Sequence, residues 1–164
     1  MQRNFRLGLA VAAVASLALA LAGTASASES SHSNLTVVEE ANTDLEVPGV
    51  GGADVAGNIL VFHNELFNKT DTKHVGSDRG DCTRINPNEF GSGVGTWECR
   101  WTNFLPGGQI TVEGPFNDNS DTVVSITGGT GVYSHARGQM LLQSVLVGAD
   151  QDYNFVFQFG QNGD

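Results

Sequence analysis

The stretch SITGGTGVYSHARGQM, residues 125–140, is rich in glycine, and the role of these glycines distinguishes two fold classes. A phosphate-binding loop would indicate a nucleotide-binding α/β protein, whereas a tight turn would join two strands of an all-β protein. A P-loop needs a Lys after its glycines, and a dinucleotide fingerprint needs a helix after a strand. The stretch has no such Lys and continues with strand-like residues. We therefore predict that Gly128-Gly129-Thr130-Gly131 forms a turn, where glycine accepts a positive φ without a Cβ clash.

Short runs of aromatic and β-branched residues surround this stretch and predict strands. They alternate with turn-forming segments rich in Gly, Asn, Asp and Pro. The predicted strands are residues 58–67, 79–86, 95–104, 108–116, 122–128, 138–148 and 152–160. Residues 57–164 show no helical period, so we predict that residues 56–164 form an all-β domain, an antiparallel barrel or sandwich of seven or eight strands. A closed barrel is favoured because closure removes aggregation-prone sheet edges.

The first 27 residues have the pattern of a secretory signal peptide. Arg3 and Arg6 form a basic start, an apolar run covers residues 7–23, and small residues at Ala25 and Ala27 mark a cleavage site. The alternative is a retained membrane anchor, although 17 apolar residues are at the short end for a span. We predict cleavage after Ala27 and a secreted, extracellular protein.

Residues 28–55 are rich in Ser, Gly and acidic residues, which predicts a flexible arm. Val37 and Val38 could form a short edge strand within it. Loss of Arg3 and Arg6 leaves six Lys and Arg against 18 Asp and Glu, a formal net charge of −12. Such a surface excludes nucleic acid and, once the signal is cleaved, anionic membrane surfaces as partners, since both require clustered cations.

Four segments in order resemble the allene oxide cyclases and their dirigent-protein relatives. They are LVFHNELFN (60–68), KHVGSDRGDCTRI (73–85), PGGQITVEGPF (106–116) and ITGGTGVYSHARGQM (126–140). The resemblance implies an eight-stranded antiparallel β-barrel with an apolar cavity. It also implies chemistry without a cofactor, or ligand guidance, on an oxidised lipid, a phenolic or a polyketide-like molecule. Relatives form dimers or trimers, so we also consider a homo-oligomer.

The first barrel strand carries the candidate catalytic residues. In allene oxide cyclases this strand presents a carboxylate and an amide, two residues apart, to the cavity, and His63 and Glu65 match those positions. This departs from the family pattern, because His replaces the carboxylate and Glu replaces the amide. An inward Glu65 in an apolar barrel would have a raised pKa and could act as acid or base. A register error of one residue would instead turn Asn64 inward and both candidates to solvent.

Cys82 and Cys99 lie symmetrically about a predicted hairpin loop, so they face each other if the hairpin is regular. Because the chain is predicted to be secreted, we expect a Cys82–Cys99 disulfide. A cysteine matching Cys82 lines the pocket in allene oxide cyclases, and a disulfide would remove its free thiol.

Aromatic residues supply the candidate ligand contacts. Phe116 matches an aromatic residue at the cavity mouth of the cyclases. Trp97 and Trp101 share a strand face with Cys99, and Phe157 belongs to an aromatic face of the last strand. Each of these residues is either a pocket contact or ordinary core.

No metal site is expected, since the four His are scattered and neither Cys has a C-x-x-C partner. Three functions remain open. The protein is a cofactor-free cyclase or isomerase, a non-catalytic dirigent-like or carrier-type binding barrel, or a structural barrel filled by its own side chains.

Overall fold

The computed structural model describes residues 34–51, 54–88, 91, 95–118, 120–147 and 150–160. The predicted signal peptide lies outside these residues. Ten strands form one sheet: β1 (Asn34–Glu40), β2 (Leu45–Val47), β3 (Ile59–Phe62), β4 (Glu65–Asn68), β5 (His74–Asn86), β6 (Thr96–Leu105), β7 (Gly108–Asn117), β8 (Thr122–Gly131), β9 (Gly138–Val147) and β10 (Asp150–Phe159). No helix of the described segments is long and apolar enough to cross a membrane.

Eight of the strands close into a barrel. The order around it is β1-β4-β5-β6-β7-β8-β9-β10, and β10 pairs with β1 to complete the ring. Every pairing is antiparallel. The prediction of an eight-stranded antiparallel β-barrel is therefore confirmed.

β1 closes the barrel, and it comes from the segment that the sequence assigned to a flexible arm. It pairs with β10 over seven residues and with β4 over four. Val37 is 2% exposed and belongs to the main core cluster. The arm prediction is wrong for residues 34–40, because barrel closure supplies these few apolar side chains with partners far away in sequence.

The predicted strand 58–67 is interrupted. β3 ends at Phe62, β4 begins at Glu65, and both pair with β5. At the break, the main-chain N–H of Asp78 donates to the carbonyl of Asn64 at 2.9 Å. β2 extends the sheet beyond β3, where it forms a pairing outside the ring.

Side chains of the barrel interior form one core cluster. Strand alternation places every second residue inward, as on β6, where Trp97, Cys99, Trp101 and Leu105 are all buried. The remaining fully buried hydrophobic members include Leu66, Ile110, Val112, Val124, Met140, Phe155 and Phe157. Much of the interior is therefore filled by the protein itself.

The glycines of residues 128–131 are strand residues, which corrects the prediction of a turn. β8 continues to Gly131, and the turn follows at residues 132–135. Gly129 pairs with Ile110, and a Cβ atom added there would lie 2.4 Å from the carbonyl oxygen of Tyr133. Glycine is needed at this position because the backbones approach closely.

The Cys82–Cys99 disulfide is confirmed. The two residues are directly opposed in the β5–β6 pairing and are linked to each other. A link across 17 positions stabilises the fold by about 3 kcal/mol in the chain-entropy model.

Candidate functional site

A cavity of about 90 Å³ occupies the barrel end at which β1 and β7 finish and β10 begins. One ordered water needs about 10–15 Å³ by such a measure, and a cavity of about 150 Å³ binds benzene. The cavity therefore takes up part of an organic ligand, and the rest of the ligand extends through its opening to solvent. The lining residues are Glu39, Asp44, Leu60, Phe62, Asn64, Cys82, Cys99, Trp101, Phe116, Leu142, Tyr153 and Phe155.

Five of the twelve lining residues are aromatic, and their rings contact one another. Trp101 packs edge-on to Phe62 with ring centroids 6.2 Å apart and lies 5.9 Å from Phe155. Phe116 packs edge-on to Tyr153 at 5.8 Å. Because rings in such contacts restrain one another, the wall is a preformed apolar surface.

Asn64 organises the polar side of the cavity. Its Nδ2 donates to Oε1 of Glu39 at 3.0 Å and to Oδ1 of Asp44 at 2.9 Å. Its Oδ1 accepts from the main-chain N–H of Thr43 at 3.0 Å and from the Thr43 hydroxyl at 2.7 Å. Since both ends of the amide are engaged, Asn64 holds the two carboxyl groups in place.

Asp78 lies behind this cluster and is completely buried. Its Oδ1 accepts a hydrogen bond from the main-chain N–H of Asn64 at 3.2 Å. The Glu39 and Asp78 side chains also form a hydrogen bond with each other. A hydrogen bond between two carboxyl groups requires a proton on one of them, since an ionised carboxylate only accepts.

Burial and like charge keep protons on these carboxyl groups. Burial, followed by the negative charge of Asp78, raises the pKa of Glu39 well above its ordinary value. Burial also raises the pKa of Asp78 to about 7, despite opposing hydrogen bonds. Two adjacent buried carboxyl groups cannot both ionise readily, so the cavity presents a protonated acid near neutral pH.

Tyr153 adds a neutral hydroxyl to the same wall. Burial, and then the charge of Glu39, raises the pKa of Tyr153 above its ordinary value. The two residues are opposed in the β1–β10 pairing. The hydroxyl therefore stays protonated throughout the physiological range.

His63 and Glu65 do not face the cavity, so the predicted inward orientation is wrong. The side chain of Glu65 is 47% exposed and pairs with His74, and His63 is exposed. Leu60, Phe62 and Asn64 line the cavity instead. The residues that point inward are thus one position away from those predicted, which is the alternative register given in the sequence analysis.

The aromatic candidates divide into two groups. Phe116 and Trp101 line the cavity. Trp97 does not, because its Nε1 donates to Oδ1 of Asp118 at 2.8 Å and its ring packs under the Arg84 guanidinium at 3.9 Å. Phe157 is fully buried in the core. The cysteines line the cavity as a disulfide and offer no thiol.

Sequence reasoning missed Glu39, Asp44 and Asp78. Glu39 and Asp44 lie in the segment assigned to an arm, and Asp78 directly precedes a predicted strand. The available signal was the two-residue spacing of Leu35, Val37 and Glu39, which places all three on one face of β1. No group of three or more potential metal ligands occurs among the described side chains.

Three solved structures have a fold similar to that of this chain. A pyocyanin demethylase is 25% identical, with 75% of this chain and 98% of that chain covered and a TM-score of 0.60. A pterocarpan synthase dirigent protein is 18% identical, with 79% and 96% covered and a TM-score of 0.59. A Diels-Alderase from Streptomyces koyangensis is 12% identical, with 77% and 64% covered and a TM-score of 0.60.

A family model matches the whole barrel of this chain. Its match runs over residues 32–161, from just before β1 to just after β10, and its description is allene oxide cyclase. The match thus includes every strand of the ring and all residues that line the cavity. The chain belongs to the allene oxide cyclase family.

Proposed function

We propose that the barrel binds an apolar small molecule in its aromatic cavity and guides its cyclisation or isomerisation without a cofactor, with Glu39 as the proton donor. The observation that carries this proposal is the placement of one buried carboxyl group, Glu39, in a wall of aromatic rings. Family membership and the name of the 25% identical demethylase both support a small organic substrate.

The chemistry needs a held conformation and one mobile proton. The aromatic wall folds the substrate into a shape near that of the product, which removes much of the entropic barrier to ring closure. The Glu39 proton passes to an epoxide or carbonyl oxygen as negative charge develops there. The same carboxylate takes the proton back when that oxygen becomes a carbonyl. The step is balanced in protons and electrons.

A carrier without bond-making chemistry is the second candidate. It is favoured by the filled interior beneath the cavity and by the mostly apolar lining. A carrier needs apolar burial but no proton transfer, so its ligand affinity would be indifferent to the Glu39 proton.

An allene oxide generated in situ from a fatty-acid hydroperoxide tests the enzymatic proposal, with the enantiomeric composition of the cyclopentenone product as the measurement. Unguided cyclisation gives both enantiomers equally, and the protein is expected to enrich one. Glu39→Gln should lower the guided rate by about a hundredfold or more. Glu98→Gln, an exposed position on β6, is the matched control.

Binding of the fluorescent dye N-phenyl-1-naphthylamine separates the two candidates. The dye should bind the wild type and Glu39→Gln equally, because it needs only the apolar wall. Dye binding together with a racemic product at every protein concentration would contradict the cyclase function on this substrate and favour the carrier.

Secretion is part of the same proposal. The signal-like residues 1–27 motivate it, and the disulfide supports it because such bonds persist in oxidising compartments. Intact-mass measurement of protein from the culture medium should give a chain that begins at Ser28. Recovery of the full-length chain from the cell membrane would instead favour the anchor.

A further inference from the structure

The hydroxyl group of Tyr153 is a hydrogen-bond donor in the cavity wall that the proton transfer from Glu39 does not use. Tyr153 lines the cavity and is half-buried. Its hydroxyl forms no hydrogen bond with any residue that the structure describes. A ligand that accepts a hydrogen bond there would gain an interaction that the protein itself leaves open.

The position of Tyr153 is fixed by its neighbours. Its ring packs edge-on to Phe116 at 5.8 Å, and the residue is directly opposite Glu39 in the β1–β10 pairing. Opposed residues of an antiparallel pair have Cβ atoms about 5 Å apart on the same face of the sheet. A ligand oxygen that reaches the Glu39 carboxyl group is therefore also within reach of the Tyr153 side chain.

The carboxyl groups beside Tyr153 are already engaged by the protein. Glu39 accepts from Nδ2 of Asn64 at 3.0 Å and shares a hydrogen bond with Asp78. Asp44 accepts from the same amide at 2.9 Å. Among these polar groups, the Tyr153 hydroxyl is the one whose hydrogen bond is left for a ligand.

Tyr153 keeps its hydrogen when it donates. Burial, followed by the charges of Glu39 and Asp44, raises the pKa of the Tyr153 hydroxyl above its ordinary value. A phenol of this kind holds an oxygen atom in place without transferring its proton. The roles of the two side chains therefore differ, because Glu39 supplies the mobile proton and Tyr153 supplies a fixed hydrogen bond.

A second donor of the lining residues also lacks a partner. Trp101 is 5% exposed, and its buried Nε1 has no hydrogen-bond acceptor among the described side chains and backbone. Unpaired buried donors are rare in folded proteins and call for a specific explanation. Two open donors in the residues around one cavity favour a ligand that accepts hydrogen bonds over a pure hydrocarbon.

We infer that Tyr153 determines ligand specificity: its hydroxyl donates a hydrogen bond to a carbonyl or epoxide oxygen, and the cavity discriminates against a hydrocarbon of the same shape. This rests on the proposed function, since it assigns the ligand class of the same cavity. The hydrogen bond strengthens as negative charge develops on the oxygen, so Tyr153 also stabilises the transition state that receives the Glu39 proton.

Two probes of one shape test the inference by titration calorimetry. They are 2-acetylnaphthalene and 2-isopropenylnaphthalene, which differ by the exchange of C=O for C=CH₂. Tyr153→Phe keeps the ring and removes the donor. It should weaken binding of the ketone by about tenfold, the order of one net hydrogen bond, and leave the affinity of the alkene unchanged.

The infrared carbonyl band of the bound ketone reports the hydrogen bond directly. The band should lie at lower frequency in the wild type than in Tyr153→Phe, a difference that a purely structural role would not produce. Tyr133→Phe is the matched control, because Tyr133 is the other tyrosine of the chain and lies in the turn after β8, at the opposite end of the barrel. It should keep the wild-type affinity and the wild-type band.

Three outcomes would overturn the inference. They are an unchanged affinity for the ketone in Tyr153→Phe, an equal loss for ketone and alkene, and no binding of the ketone to the wild type. The proposed function is judged separately, by the enantiomeric composition of the cyclopentenone that the wild type forms. A guided cyclisation that Tyr153→Phe performs at the wild-type rate would leave the proposed function intact and remove Tyr153 from it.

Discussion

Burial of Glu39 beside Asp78 decides the protonation state of the site. Water is excluded from both carboxyl groups, and each disfavours the charge of the other. A solvent-exposed glutamate would be ionised at neutral pH and could not donate a proton. The same residue type therefore becomes a candidate acid only through its position inside the barrel.

This pair predicts a specific dependence of stability on pH. Because the folded-state pKa values lie above those of the unfolded chain, the folded protein binds more protons, and stability falls as pH rises. The loss should fall between about pH 4, the ordinary carboxyl range, and the Asp78 pKa of about 7. In Asp78→Asn the decrease in the free energy of unfolding from pH 5 to pH 8 should be smaller by about 1 to 3 kcal/mol.

Urea denaturation at several pH values measures this difference. Glu98→Gln should show the same change in the free energy of unfolding with pH as the wild type, because that side chain is exposed. Parallel curves for the wild type and Asp78→Asn would show that the buried pair does not bind the extra protons. Glu39→Gln offers a second variant if Asp78→Asn does not fold.

At the level of single elements, the close approach of β8 to its neighbours depends on glycine. β8 pairs with β7 through residues 128–131, with a shift of register between Thr111 and Val112. The turn that follows β8 folds back so that the carbonyl of Tyr133 lies over Gly129. A side chain at that position would separate the turn from the barrel.

Gly129→Ala is therefore expected to destabilise the protein. Its Cβ would lie 2.4 Å from the oxygen of Tyr133 and 2.6 Å from that of Gln109, both on the backbone. We expect a loss of at least about 2 kcal/mol in the free energy of unfolding, in the range of overpacking. Gly128→Ala is the matched control, since its Cβ would meet only the Thr111 hydroxyl at 3.5 Å. Equal losses in the two variants would contradict the close approach.

At the scale of the whole molecule, β1 joins the two ends of the sheet. It lies between β4 and β10, and without it both neighbours would present unpaired edges. It also carries Glu39, so closure of the barrel and assembly of the site are one event. The cavity cannot form in a chain that leaves the barrel open.

A chain that begins at Ala41 tests this coupling against one that begins at Ser28. We expect the shorter chain to lose its cooperative thermal transition and to aggregate, because the exposed edges template further pairing. Circular dichroism and size-exclusion chromatography measure these two properties. A monomeric Ala41 chain with an unchanged melting temperature would refute the closing role of β1.

Features of this protein that depend on local pattern can be predicted from the amino-acid sequence. Alternation and turn residues located most strands of the barrel, and the symmetry of Cys82 and Cys99 about one hairpin identified their disulfide. Such features involve neighbours in sequence, so their signal is contained in short windows.

The identity of the site residues depends on contacts that exist only in the closed barrel. β1 has few apolar residues, and its partners β4 and β10 are recognised only when the ring closes. Leu60, Phe62 and Asn64 point inward on both sides of the β3–β4 break, and a shift of one residue exchanges Glu65 for Asn64. The acid Glu39 is therefore defined by long-range pairing and by burial, which a single stretch of sequence does not encode.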